Sequence, residues 1–313
     1  MRQRVGKVVV TGGAGFIGSH LIDRLVEDDV GEVVAIDNFS RGRVENIAHL
    51  SGTPQFHLIE GDVRDTGLLR EALSGAVLVY HLAAQSRVLD AVRNFDYTFE
   101  TNVIGTYNVL RAAVETGVSR VVFASSREVY GEPISLPVDE ESPLLPVNSY
   151  GASKMAGEAY CRAFRREVGL ETVILRLANV YGPRDFGRVI PHWFDEATSG
   201  RELTVFGGKQ VLDVVWIHQV VDAFRRVGVI EGSVPPINIG TGTGTRIVDL
   251  ARRIARVVEV QPKVRLEAAR PMEVTRYIAG VQRMREILRI EPPLDPLAYL
   301  VEMRQLLAAR ALA

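Results

Sequence analysis

Two hydrophobic periods take turns along this chain. Val8, Val9 and Val10, inside 7–11, form an unbroken β-branched run, the pattern of a strand buried on both faces. Directly after a glycine-rich turn, Ile17, Leu21 and Leu25 recur at helical spacing. The exchange repeats: apolar runs at 32–36, 56–62, 77–84, 120–125 and 172–177 read as strands, and 98–116 reads as one long helix. Strands alternating with helices predict an α/β fold with a parallel, doubly wound sheet, whose ligands bind beyond the carboxyl ends of the strands. Asp37, Asp62, Ala83, Ser125 and Asn179 all fall at such ends.

Past Asn179 the pattern loosens. Tyr181-Gly182-Pro183-Arg184 is turn chemistry, and the stretch to Lys209 is richer in Gly, Pro and isolated aromatics. The run 236–240 reads as one more short strand, and Thr245 is placed to cap a helix carrying Ile247, Leu250, Ile254 and Val257. The expected division is a dinucleotide-binding domain at 1–178 and a smaller substrate-binding lobe at 179–313, with segments near 213–240 returning to the sheet.

Composition narrows the function classes. The 313 residues are 47% apolar and 24% charged, an ordinary globular balance, and the formal net charge of −1 gives no reason to expect nucleic acid or an anionic membrane as partner. A single cysteine, Cys161, excludes an internal disulfide framework, and the six histidines show no metal-ligand spacing, so no metal is expected. No apolar run approaches the roughly 20 residues that span a bilayer. Met1-Arg2-Gln3-Arg4 leads straight into the first strand without room for a signal peptide, so a cytoplasmic location is expected.

Candidate chemistry begins at Gly12-Gly13-Ala14-Gly15-Phe16-Ile17-Gly18. Strand, glycine turn and helix in this order form a dinucleotide fingerprint of the Rossmann type: the backbone approaches a pyrophosphate, which sits on the positive end of the helix. The second strand ends in Asp37, about 20 residues on, as the fingerprint asks. A carboxylate there accepts from ribose hydroxyls and repels a 2′-phosphate, so NAD is favoured over NADP, with Arg41 and Arg43 nearby as the opposing feature. Tyr150 and Lys154, four apart, share one face of a helix. A fixed ammonium beside a phenol favours the phenolate, so Tyr150 is expected to act as a base near neutrality.

Seven motifs in order carry a resemblance. They are Thr11 to Leu21, Asp37-Asn38, Gly61-Asp62-Val63-Arg64-Asp65, His81-Leu82-Ala83-Ala84, Asn102 to Thr106, Ser125 to Gly131 with Tyr150 to Lys154, and Asn179 to Arg184. Together they resemble the extended short-chain dehydrogenase/reductases that act on nucleotide sugars, and overall the chain is most similar to the UDP-glucose 4-epimerases. The resemblance implies NAD held by Gly12, Gly15, Phe16, Ile17, Gly18, Asp37, Asn38, Asp62 and Val63, and further along by Leu82, Ala83, Ala84, Asn102, Ser125, Tyr150 and Lys154. It implies catalysis by Ser126, Tyr150 and Lys154 through a transient 4-keto sugar. It implies that Ser86, Ser126, Arg127, Glu128 and Asn179, with Arg184, Val189, Thr204, Phe206 and Arg270, meet a UDP-sugar. It also implies a homodimer through two helices per subunit.

Two departures from that family keep the outcome open. Leu212 stands where a diphosphate-clamping arginine is usual, leaving Lys209, Arg184 or Arg188 to compensate. Arg127-Glu128 follows Ser126, where 4,6-dehydratases carry Asp-Glu and hexuronate decarboxylases Ser-Glu. Arginine does not donate a proton at neutral pH, which argues against dehydration. Glu128 keeps UDP-glucuronate decarboxylation as the second reading beside 4-epimerisation of a UDP-hexose or UDP-hexuronate. For Arg127 itself, an ion pair or a surface position outside the cleft is the competing expectation. A dinucleotide-binding regulator without chemistry is disfavoured, because Ser126, Tyr150 and Lys154 are all kept.

Overall fold

The structure, a computed structural model, describes residues 6–311 apart from 262, 271 and 272; the Met1–Arg4 opening and Pro271 lie outside the described residues. In chain order the first elements are β1 (Lys7–Thr11), α1 (Phe16–Glu27), β2 (Glu32–Asp37), β3 (Phe56–Glu60), α2 (Thr66–Leu73) and β4 (Ala76–His81). Then come α3 (Val88–Arg93), α4 (Phe95–Phe99), α5 (Gly105–Thr116), β5 (Arg120–Ser126), α6 (Ser149–Val168), β6 (Glu171–Leu177) and β7 (Asn179–Tyr181). Next are α7 (Val189–Thr198), β8 (Leu203–Phe206), β9 (Val211–Trp216), α8 (Ile217–Val229), β10 (Ile237–Ile239) and β11 (Gly244–Arg246). The chain closes with α9 (Ile247–Val258), β12 (Val264–Glu267), β13 (Arg276–Tyr277), α10 (Gln282–Leu288) and α11 (Leu300–Ala311).

Seven strands pair in parallel in the order β10-β6-β5-β4-β1-β2-β3. Burial on both faces explains the unbroken valines. Val8 and Val10 pack into one core with Leu21, Ile22 and Phe224, while Val9 joins the opposite core with Leu69 and Leu110. Strand order reverses between β1 and β4, which opens a crevice at their carboxyl ends. Beside it, β9 is flanked by β7, β11 and β13, and β8 pairs with β12. Among the described residues, no helix is long and apolar enough to cross a membrane.

Four expected boundaries move, the first being the strand expected at 77–84, which is β4 at Ala76–His81. The third strand ends at Glu60, because Asp62 bends away to accept hydrogen bonds from Asn38 and Arg64. The helix expected at 98–116 begins at Phe95 and passes through a π-helical stretch, Glu100–Ile104, between α4 and α5. Thr245 is no cap: it pairs with Leu212 in the ladder between β11 and β9, and α9 starts at Ile247 behind Arg246.

Candidate active site

The turn after β1 is shaped by backbone. Gly12 adopts φ +72, and a Cβ there would stand 2.8 Å from the Ala83 nitrogen, so only glycine lets the β1 and β4 ends approach this closely. Helix α1 begins at Phe16 behind Gly15, with no side-chain cap and no acidic residue in its first turn, leaving its first N–H groups as a positive end without internal competition. This cradle fits a pyrophosphate. Asp37, 7% exposed, accepts from the Ala14 and Phe39 amides at 2.9 Å each. Burial raises its pKa, and the backbone N–H groups of Phe39, Ala14 and Gly15 pull it back. The two arginines that opposed an NAD preference are both engaged elsewhere. Arg41 donates to Asp90 at 3.2 Å, and the Arg43 guanidinium lies 3.7 Å from the Phe186 ring centroid.

A buried hydrogen-bond chain locks the β4 end. Thr106 donates to the Asn102 carbonyl at 2.6 Å, so its oxygen is left to accept from His81 Nε2 at 3.0 Å. That makes His81 Nδ1 the acceptor for the Thr11 hydroxyl at 2.7 Å, a neutral tautomer assigned from the network. Burial holds the His81 pKa down to about 3. Asn102 completes the chain: its Oδ1 accepts from the Gln85 amide, and its Nδ2 donates to the Gln85 carbonyl and to Ser153.

The reacting groups come from β5 and α6. Asn148 caps α6 by accepting from the Gly151 amide at 2.8 Å, and a side chain at Gly151 would collide with the Glu128 carbonyl, so α6 sits close against the turn after β5. This places Tyr150 in hydrogen-bond contact with Ser126, whose oxygen also accepts from the Glu128 amide at 3.2 Å. Lys154, one turn on, donates to the Ala124 carbonyl at 2.8 Å, with Nζ 6.0 Å from the Tyr150 ring centroid. Burial lowers the Lys154 pKa to about 8.

Here the electrostatic expectation changes sign. Burial pushes the Tyr150 phenol up; Arg188 pulls it back most, followed by the Ser126 hydrogen bond and then Arg127. The positive charge that pulls Tyr150 down most is therefore Arg188, from the far wall. Behind the site, Ser125 donates to Glu158 at 2.6 Å, and Arg176 clamps the same carboxylate with two bonds of 2.8 and 2.9 Å. The Ser125 hydroxyl is thus committed inward.

Arg127 is in the wall of the cleft, not outside it. Its Nη2 lies 2.8 Å from Glu128 Oε1, and its Nε donates to Asn179 Oδ1 at 3.3 Å. The other Glu128 oxygen accepts from Asn148 Nδ2 at 2.8 Å, and Asn179 Nδ2 donates to the Asp213 carbonyl. Arg270 stacks 3.7 Å over the Phe206 centroid and pairs with Glu273 at 3.1 Å. Among the candidates to replace the arginine missing at Leu212, Lys209 is exposed, Arg184 is paired with Asp23 at 2.7 Å, and Arg188 lines the cavity.

One cavity of about 1140 Å³ joins these groups, from Asp37 through Tyr150 to Arg270. Every expected site residue lines it except Asp62 and Asn102. Asp62 is bound to Arg64 and Asn38, and Asn102 is spent on Gln85 and Ser153, so both shape the wall without facing the space. The sequence reading missed a strap over the cavity. Arg87 Nη2 donates to the Phe186 carbonyl at 2.6 Å, Arg188 stands 3.7 Å from buried Asp185, and His20 Nε2 meets the Pro183 carbonyl at 3.0 Å. Burial lowers the His20 pKa to about 4.

A parallel doubly wound sheet, a glycine cradle with a ribose-side aspartate, and a Ser-Tyr-Lys set at the crevice together define a dinucleotide-dependent enzyme. The model of the NAD dependent epimerase/dehydratase family matches residues 8–240, and the chain belongs to that family. NAD is its cofactor, and the cradle at Gly12–Gly18 with Asp37 fits it. A UDP-glucose 4-epimerase of Mycolicibacterium smegmatis is 36% identical over 91% of this chain and 93% of its own. UDP-glucuronic acid decarboxylase 3 of Arabidopsis thaliana is 33% identical over 91% of this chain and 84% of its own. The structure of a UDP-glucose 4-epimerase from Thermotoga maritima with UDP-glucose superposes with a TM-score of 0.92 at 32% identity, covering 97% of this chain and 99% of that one.

Proposed function

We propose that the protein epimerises a UDP-sugar at C4 through a transient 4-keto intermediate. The observation that carries this reading is the meeting of Tyr150 and Ser126 by hydrogen bond at the floor of the cavity, with Lys154 buried beside them. NAD, when bound, supplies reversible hydride acceptance. Tyr150 takes the proton of the sugar's 4-hydroxyl and later returns it, Ser126 holds the 4-oxygen, and Arg188 and Arg127 favour the phenolate that the proton transfer needs. Residues 1–178 with the 213–240 segments form the cofactor unit, and the rest frames the nucleotide sugar. Asn179, Arg188 and Arg270 serve its diphosphate, and Thr204 and Phe206 its base.

The second subunit, in this reading, sits on α4–α6. Phe95, Phe99 and Ile104 are exposed there, and Tyr107 packs edge-on against Tyr160 and Phe164 of α6. Such a contiguous aromatic face favours a second copy. Sedimentation of Phe99→Glu as a monomer beside a dimeric parent would bear this out.

UDP-glucuronate decarboxylation is the second reading, favoured by the decarboxylase relatives and by Glu128. Incubation without added NAD with UDP-glucose, UDP-galactose, UDP-N-acetylglucosamine and UDP-glucuronate separates the two. Appearance of the C4 epimer supports the first; carbon dioxide released from UDP-glucuronate, with no epimer from any substrate, overturns it.

A further inference from the structure

Glu128 presents an unusual problem for a C4 epimerase. It lines the cavity two residues past Ser126, is 4% exposed, and its charge is felt at Tyr150. Both of its carboxylate oxygens are engaged, one by Arg127 Nη2 and one by Asn148 Nδ2, at 2.8 Å each. Arg127 is itself held in place by Asn179 Oδ1, with the Tyr277 ring centroid 5.9 Å away.

In the proposed reaction, oxidation at C4 creates a ketone, and the hydrogen on the neighbouring C5 becomes acidic. Glu128 lines the same cavity as Tyr150, and a carboxylate left free there, on the C5 side of the ring, would take this proton, leaving an enolate. The resulting carboxylic acid would exchange its proton with water and return it to C5, or to the wrong face of it. No electron is gained or lost, but the product is scrambled. A C4 epimerase must make the ketone without running this exchange.

We propose that Arg127 is a positioning residue for reaction fidelity: by holding Glu128 in an ion pair inside the cavity wall, it keeps that carboxylate from taking the C5 proton of the 4-keto sugar. The proposal rests on the 4-keto reading above. Arg127 acts through Glu128, so removing the guanidinium frees one carboxylate oxygen, whereas Asn148 alone restrains the other.

The experiment is turnover of UDP-galactose in deuterium oxide, with NMR measuring deuterium at C5 of the product for each C4 epimerisation. A ratio is unaffected by variants that are merely slower. The parent enzyme is expected to show only a trace of deuterium at C5, the baseline against which the variants are read. Arg127→Ala, and Arg127→Met as a bulkier variant should alanine fold poorly, are expected to raise the ratio by about 100-fold, the low end of what a positioned general base contributes. Arg127→Lys, which keeps the charge, should return the ratio towards the parent value, and Arg127→Ala combined with Glu128→Gln should abolish the gain. Epimerisation by the Ala and Met variants with C5 deuterium at the parent level overturns the proposal alone. So does exchange that survives Glu128→Gln. No C4 epimer from the parent enzyme with any nucleotide sugar overturns the functional reading, and the proposal with it.

Discussion

The two walls of the cavity are made of different material. On the cofactor side, the ends of β1, β2 and β4 present backbone: a glycine in positive φ, a free helix start, and one aspartate held by two amides. On the substrate side, the surface is side chains tied to one another: Arg127 to Glu128 and Asn179, and Arg270 to Phe206. The backbone features come from short local motifs: a glycine turn, a helix start and the aspartate that closes a strand. Ion-pair networks are set by whatever the fold brings together. The first wall can hold the same cofactor across a family, while the second is free to change the outcome of the chemistry.

Tyr150 stands on the floor between the walls, so its removal separates binding from chemistry most sharply. Tyr150→Phe deletes only the phenol oxygen and should cost about 1000-fold in turnover while bound NAD is kept, as rate assays and cofactor content would report. Loss of NAD in the same variant would mean that the walls are not independent. The next largest effect tests their joint. His20, on α1, is hydrogen-bonded to Pro183 of the strap, and burial lowers its pKa from 6.5 to about 4. As pH falls through 6.5 the unfolded chain binds this proton and the folded chain does not, so stability drops between pH 6.5 and 4. The size is up to about 3 kcal/mol from this group. Urea unfolding of His20→Gln at pH 7 and pH 4.5 should show a smaller pH gap than the parent; an equal gap would sink the assignment.

This difference in material also decides what the sequence alone reveals. The β-branched runs, the Gly12–Gly18 turn, Asp37 and the Tyr150–Lys154 spacing are local patterns, and each lands at the crevice. Asp62 and Asn102 also lie where the pattern pointed, but Arg64 and Gln85 claim their side chains, and no periodicity reveals such a competitor. The electrostatics of Tyr150 likewise draw on groups far away in the chain. A helix pair four residues apart suggested Lys154, whereas Arg188 arrives from 38 residues away in sequence and Lys154 is engaged by the Ala124 carbonyl. Ser125 to Glu128 marked the right place, yet only packing against Asn148 and Asn179 shows what Arg127 and Glu128 do to each other.

A third test strikes the backbone wall alone. Gly12→Ala would force a side chain into positive φ and against the Ala83 nitrogen, at about 2 kcal/mol of strain. NAD affinity should fall roughly 30-fold, read by titration of cofactor-stripped protein. Affinity within twofold of the parent would show that the turn can relax, and that the wall is less rigid than its close packing implies.

The smallest effect belongs to the strap. Arg87→Ala removes one charged hydrogen bond to the Phe186 carbonyl and its ion pair with Asp90, but leaves Arg43 over Phe186 and Arg184 on Asp23. The Arg87 side chain is one-third exposed, so water screens part of the loss, and about 1 kcal/mol is the expected scale. The strap closes over a cavity shared by both walls, so its loosening should speed NAD release about fivefold without altering the product formed. Release measured by dilution into a NAD trap checks the first part, and product analysis the second. A changed product with unchanged NAD release would place Arg87 on the substrate wall instead. That outcome would move the boundary between the two walls from the strap to the end of β4.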